Sequence, residues 1–184
     1  DINTARCYVN GGGWGTVAEG DTGDIVAVAM DGADSILENI AATTTSGAAG
    51  GVQTIASTGA RNIERLVKMI DGDSESGSFQ VGDADSLALG CIILDYDGRG
   101  FYTGAVRHRI IGNSVAAGAA SSLPLNFVTA DDDSLAVGNV LQAVIAVTID
   151  SGGANIVLVG NRLDGASVDN GTNNTTAAND TEAF

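Results

Sequence analysis

Residues 24 to 160 form a succession of short, β-rich apolar runs, each closed by a turn signal. The runs span 24–30, 87–95, 101–111, 135–149 and 154–160, and their Val, Ile, Leu and Ala content marks them as strands. Asp31-Gly32, Asp97-Gly98-Arg99-Gly100 and Asp150-Ser151-Gly152-Gly153 punctuate them. The second and third of these turns each join two runs and read as hairpins. Several runs are apolar on both faces, as where Leu87, Leu89, Cys91 and Ile93 alternate with Ala88, Ile92 and Leu94. A strand covered on both sides predicts a sandwich whose outer face meets another element or another subunit.

Two segments break the strand pattern. Ile63, Leu66, Val67 and Ile70 fall at helical spacing, with Glu64 and Lys68 as an i,i+4 pair and Gly72 as a stop. Ser35 and Glu38 form a capping-box pattern ahead of Ile40. Two short helices are expected there, with a strand over 62–70 as the alternative. A faint echo also runs through the chain. Asp85-Ser-Leu-Ala-Leu-Gly90 recurs as Asp133-Ser-Leu-Ala-Val-Gly138, and Glu19-Gly-Asp-Thr-Gly-Asp24 is a looser copy. The spacing is irregular, which argues against a solenoid and for one turn design used more than once.

Charge is the second constraint. The 23 acidic residues outnumber the 8 basic ones, for a net charge of −15; Asp supplies 18 of the acids and Lys68 is the sole lysine. No Lys/Arg stripe exists to displace counterions from a phosphate backbone, so nucleic acid is not an expected partner. An anionic membrane surface is disfavoured for the same reason. Charge of one sign strains a compact fold by self-repulsion, and at 1 M salt a Debye length of about 3 Å removes that strain. The Asp-for-Lys balance is therefore read as adaptation to brine, with an ordinary acidic surface as the plain alternative.

The residues supply little catalytic chemistry. One His and two Cys cannot assemble a zinc or iron–sulfur site of familiar spacing. No phosphate-binding glycine loop or nucleophile elbow occurs, so no cofactor and no enzymatic activity is expected. If residues around His108 form a strand, Arg107 and Arg109 share one face, while His108 lies on the other beside Tyr102, Val106 and Ile110 as a buried core histidine. The dense acidic sites are Asp131-Asp132-Asp133, Asp71-Gly72-Asp73 and Asp95-Tyr96-Asp97. They are read as solvated loops and not as a metal site, since none matches a calcium loop. Cys91 sits in an apolar run and reads as a buried free thiol. Cys7 and Trp14, the latter in Gly11-Gly12-Gly13-Trp14-Gly15, are the candidate interface residues. Residues 1–15 are then an N-terminal arm, 1–166 one domain, and 167–184 a polar tail with sequons at Asn170, Asn173, Asn174 and Asn179.

In its length, its Asp-for-Lys balance and its strand pattern over residues 24–160, the chain resembles the smaller major capsid protein of icosahedral, internal-membrane viruses of halophilic archaea, the single vertical β-barrel type. The resemblance implies an all-β chain forming a single jelly-roll barrel or sandwich. It implies a structural role in the virion shell, in pseudo-hexameric capsomers built with copies of itself and a larger jelly-roll major capsid protein. Penton or other minor capsid proteins would be further partners, with an internal membrane nearby but not entered. Residues 17–32 also look like the small β-barrel decoration proteins of tailed archaeal viruses, so a decoration or tail-tube role is the alternative. A halophile cell-surface filament subunit is a second, and a hydrolase using Asp95 and Asp97 is a third.

Overall fold

The computed structural model describes residues 6–18, 25–46, 52–72, 79–96, 99–117, 123–128 and 131–181. Among them there is no helix. All strands pair in parallel, and the chain winds as a β-solenoid. One sheet has eight three-residue strands: Tyr8–Asn10, Ile36–Glu38, Ile63–Arg65, Leu87–Leu89, Arg109–Ile111, Leu135–Val137, Val157–Val159 and Thr175–Ala177. We call it the front sheet and number its strands as rungs one to eight. A second, twelve-stranded sheet forms the remaining walls. Its first stack includes Ala41–Ser46, Lys68–Gly72, Ile92–Tyr96 and Ser114–Ala117, and its second Ile25–Met30, Val52–Ser57, Phe79–Gln80, Arg99–Thr103 and Leu123–Phe127. Val140–Ile149 is long enough to pair with both stacks and joins them.

Each wall points one buried column inward. On the front sheet it includes Leu37, Ala88, Ile110, Ala136 and Leu158. Next come Ala42, Met69, Ile93, Val115, Leu141 and Leu163 in register. The third column is Val28, Ile55, Phe79, Phe101, Leu125 and Val147. Burial of like upon like through the stack is what one coil alone cannot achieve.

The corners set this fold. Every rung is preceded by a residue with positive φ: Arg6, Asp34, Arg61, Asp85, Arg107, Asp133, Asn155 and Asn173, at 56 to 65°. Every rung is also followed by one, through Gly11, Asn39, Leu66, Gly90, Gly112, Gly138, Gly160 and Ala178. A left-handed residue on each side bends the chain out of the front sheet, so the next strand lies above its equivalent and not antiparallel beside its predecessor.

The expected jelly-roll barrel or sandwich is therefore corrected to a solenoid, and the irregular spacing that argued against one reflects coils of unequal length, 18 to 28 residues from rung to rung. The hairpin expected at 150–153 instead connects strands of different sheets. At 97–100 the flanking strands do not pair with each other, and residues 97–98 lie outside the described residues. Neither expected helix exists. Residues 62–70 divide between Ile63–Arg65 and Lys68–Gly72 at Leu66, with Glu64 facing inward and Lys68 exposed. Ser35 faces inward and Glu38 outward from a strand. The run from Leu87 to Leu94 is two strands divided at Gly90, which explains its apolar residues on both apparent faces. Residues 167–181, expected as a polar tail, contain the end of Arg162–Asp169 and the eighth rung.

Candidate functional site

Two inward polar ladders flank the front sheet and fix its register. After the rungs, Asn113, Asn139, Asn161 and Asn179 stack directly. The N–H groups of Cys91, Asn113, Asn139 and Asn161 each donate to the next side-chain oxygen, at 2.7, 2.9, 3.0 and 2.8 Å. Their side-chain amides donate to the carbonyls of Ala88, Ile110, Ala136 and Leu158 one rung back. Before the rungs, the Cys7, Ser35 and Asn62 N–H groups donate to Ser35 Oγ, Asn62 Oδ1 and Ser86 Oγ in turn.

A titratable cluster is sealed inside this frame. Glu64 occupies an inward position where adjacent coils place Leu37 and Ala88. Burial pushes its carboxyl up to about 7, against the weaker pull of the Ser57 hydroxyl, the Gly82 backbone and His108. His108 is buried, its Nε2 2.7 Å from the Gly82 carbonyl and its Nδ1 3.4 Å from Asp131 Oδ2. Burial alone lowers the imidazole pKa, but the Asp131 carboxylate and that carbonyl more than offset it and hold it above the usual value. Ser134 Oγ accepts the His108 N–H and donates to Asp131 Oδ1. Cys91 is buried, and burial raises its thiol to about 12. Both cysteines are free. Two grooves of about 270 and 230 Å³ are lined at Leu163 to Thr181 and at Thr58 to Ala105 respectively, and the second includes Gly82, whose carbonyl meets His108.

The accessible surface of note is the outside of the front sheet. Its outward positions carry Ile36, Ile63, Leu87, Leu135 and Val157 in one column, interrupted by the exposed Arg109 between Leu87 and Leu135, with Leu89, Ile111, Val137 and Val159 in the other. Leu89 is 39% exposed, and Leu66 at the corner is 58% exposed. Leucine in a left-handed conformation costs roughly 1–2 kcal/mol relative to the right-handed region, and the next four coils have glycine there. Toward the first rungs the surface is polar. Arg65 Nε lies 2.9 Å from Glu38 Oε1, and the Tyr8 hydroxyl donates to Glu38 Oε2. Arg65, then Tyr8, hold the Glu38 carboxyl below its usual range.

The corner before the rungs carries a ladder of alternating charge: Arg6, Asp34, Arg61, Asp85, Arg107 and Asp133 on successive coils. Arg61 grips Asp34 through Nε and Nη2 at 2.6 and 3.0 Å, and Arg107 grips Asp85 at 2.6 and 2.8 Å. These hydrogen bonds lower both carboxyl pKa values. Asp133 accepts from Asn155 Nδ2 at 3.1 Å. An apolar field with a charged rim is the anatomy of a protein interface.

Of the two residues expected at interfaces, Cys7 is half-buried in the ladder before the rungs. Trp14 lies in Gly13–Ala18 with its backbone paired to Ala42, on a different wall; its side chain is outside the described residues. The structure does not bring them together on the front sheet. His108 is buried as expected. Asp131 is buried beside it, whereas Asp133 is exposed. Asp73 and Asp97 fall outside the described residues, as does the looser repeat copy at 19–24. Among the described residues no group of three or more His, Cys, Asp or Glu could hold a metal ion, and no helix is long and apolar enough to cross a membrane. The front-surface residues Leu66, Leu89 and Ile111 were not singled out as interface residues in the sequence. Their signal was an apolar residue on each side of an inward one, framed by two corner residues. No family model, curated protein or solved structure matches the chain.

Proposed function

We propose that this chain is a structural subunit of a larger protein assembly, with a virion as the expected setting, and that it works by packing its front sheet against protein. The observation that carries this reading is the apolar outer surface of the front sheet, bounded by paired charges. The enclosed position of Glu64, His108 and Asp131 supports a structural role for the most polar part of the interior. The role of a barrel in a pseudo-hexameric capsomer with a larger jelly-roll partner is not carried forward, because it required the fold that the parallel stack replaces. Among the alternatives, decoration, tail and filament components remain compatible with a rigid repeat domain presenting a side wall. Electron microscopy of the native material tests the proposal. The chain is expected at fixed positions in a particle or filament, with its front sheet covered, and a Leu89→Arg chain should fail to incorporate. A free monomer with the front sheet bare, or full incorporation of the Leu89→Arg chain, overturns the reading.

A further inference from the structure

The front sheet is nearly self-complementary when one copy is turned over upon another. Consider a two-fold axis parallel to the strands, passing between the fourth and fifth rungs. Each column then faces itself with rung order reversed, so that the first rung meets the eighth and the third meets the sixth. In the charged ladder, Asp85 meets the second copy's Arg107, and Arg61 meets its Asp133. Alternation makes any register centred on a rung oppose like charges. Among those that oppose unlike charges, this one covers all eight rungs.

The outward columns agree with the same register in part: the exposed Arg109 meets the second copy's Leu87, and Arg65 and Glu38 meet its Val137 and Val159, while the remaining outward pairs of these rungs are apolar. Ile36 faces Val157, Ile63 faces Leu135, and Leu89 faces Ile111. At the far corner, exposed Leu66 meets Gly138, around whose Cβ position no atom lies within 4 Å. A projecting leucine thus meets an open glycine twice, once on each side of the axis. Eight strands at about 4.8 Å by about 17 Å of chain from corner to corner give a footprint of roughly 650 Å² per copy, somewhat below the ~800 Å² of a standard specific interface.

We propose that the partner of the front sheet is a second copy of this chain, in an isologous dimer whose solenoid axes run antiparallel. The inference rests on the reading of this face as an assembly surface and names its occupant.

Sedimentation of the full chain at tens of micromolar in molar salt is expected to give twice the 18.4 kDa chain mass. Leu89→Arg should return it to a monomer with an unchanged circular dichroism spectrum. Leu66→Gly should weaken the dimer about 10-fold or more without unfolding the chain, since glycine suits that backbone. In a Cys7→Ser background, Ile36→Cys combined with Val157→Cys should be joined into dimers by a short thiol cross-linker. Either cysteine alone should not, because it would sit five coils, about 24 Å, from its own copy. A monomeric wild type, or cross-linking by the single variants instead of the double one, overturns the antiparallel dimer. If Leu89→Arg chains are nevertheless lost from native particles, only the identity of the occupant fails; if they also incorporate fully, the assembly reading fails with it.

Discussion

The side-chain oxygen of Asn139 takes both the backbone and the side-chain N–H of Asn113, each at 2.9 Å. Asn139 in turn donates to the Ile110 carbonyl and to Asn161 Oδ1, both at 2.8 Å. Its amide is fully used inside the fold. Asn139→Ala strands donors on Asn113 and an acceptor on Ile110 in a buried site, each costing roughly 1–3 kcal/mol. Chemical denaturation should show a loss of about 3 kcal/mol or more, and a loss below about 1 kcal/mol would contradict a cooperative ladder.

Stability should be greatest in mildly acidic solution. Glu64 has its folded pKa raised to about 7 from 4.5, so the folded state holds a proton that the unfolded state releases. Its stabilising effect is complete below about pH 4.5 and is lost as pH rises toward 7, a change on the order of 3 kcal/mol. His108 is also raised, and its contribution is lost as pH climbs above 6.5 through the folded value. Asp34, Glu38 and Asp85 are lowered and act oppositely, their stabilisation fading as pH falls below about 4. Thermal melts from pH 3 to 9 should peak near pH 4–5. Glu64→Gln should flatten the descent between 4.5 and 7, and an unchanged descent would remove Glu64 as its source.

Gly59 marks where two coils approach closely. A Cβ there would lie 2.3 Å from the Gly32 carbonyl oxygen and 2.8 Å from Asn62 Nδ2. Because one obstacle is backbone, Gly59→Ala should destabilise by about 1–3 kcal/mol. Gly112→Ala meets no atom but requires a left-handed alanine at φ 63°, so its cost of roughly 1–2 kcal/mol is purely conformational. Equal effects on the packing of neighbouring coils, read by amide exchange, would contradict that distinction.

A net charge of −15 should make the fold salt-dependent. The paired ladder neutralises only part of it, and exposed pairs contribute little individually. Thermal stability is expected to rise between 0.05 and 1 M salt as self-repulsion is screened. A flat or falling melting temperature over that range would withdraw the brine-adaptation argument.

Strand content, the buried His108 and the buried Cys91 thiol were legible because they follow from residue type and alternation. The solenoid was not. Its clearest echo, Asp85 to Gly90 against Asp133 to Gly138, skips a coil, and the coil between reads Arg107-His108-Arg109-Ile110-Ile111-Gly112. Those residues fill the same corner, inward and outward places with different chemistry, so identity disguises equivalence. Helical spacing over 63–70 misled for a related reason. Leu66 is a corner, and a chain turning there places Ile63 outside and Val67 inside without any helix. Cys7 and Trp14 were the interface candidates in the sequence, whereas the exposed apolar area of the front sheet lies at the corner residue Leu66 and at Leu89 on the end of a rung.

The asparagine ladder begins only at Asn113, whereas the matching places on earlier coils hold Ile40, Val67 and Cys91. Mechanical load along the axis should therefore meet unequal resistance. Coils after the fourth are clasped by side-chain amides as well as by main chain, and coils before it rely on main chain and apolar contact at that corner. Unravelling should start from the early coils and stall where the amides begin, leaving the later half as the part that seeds rewinding.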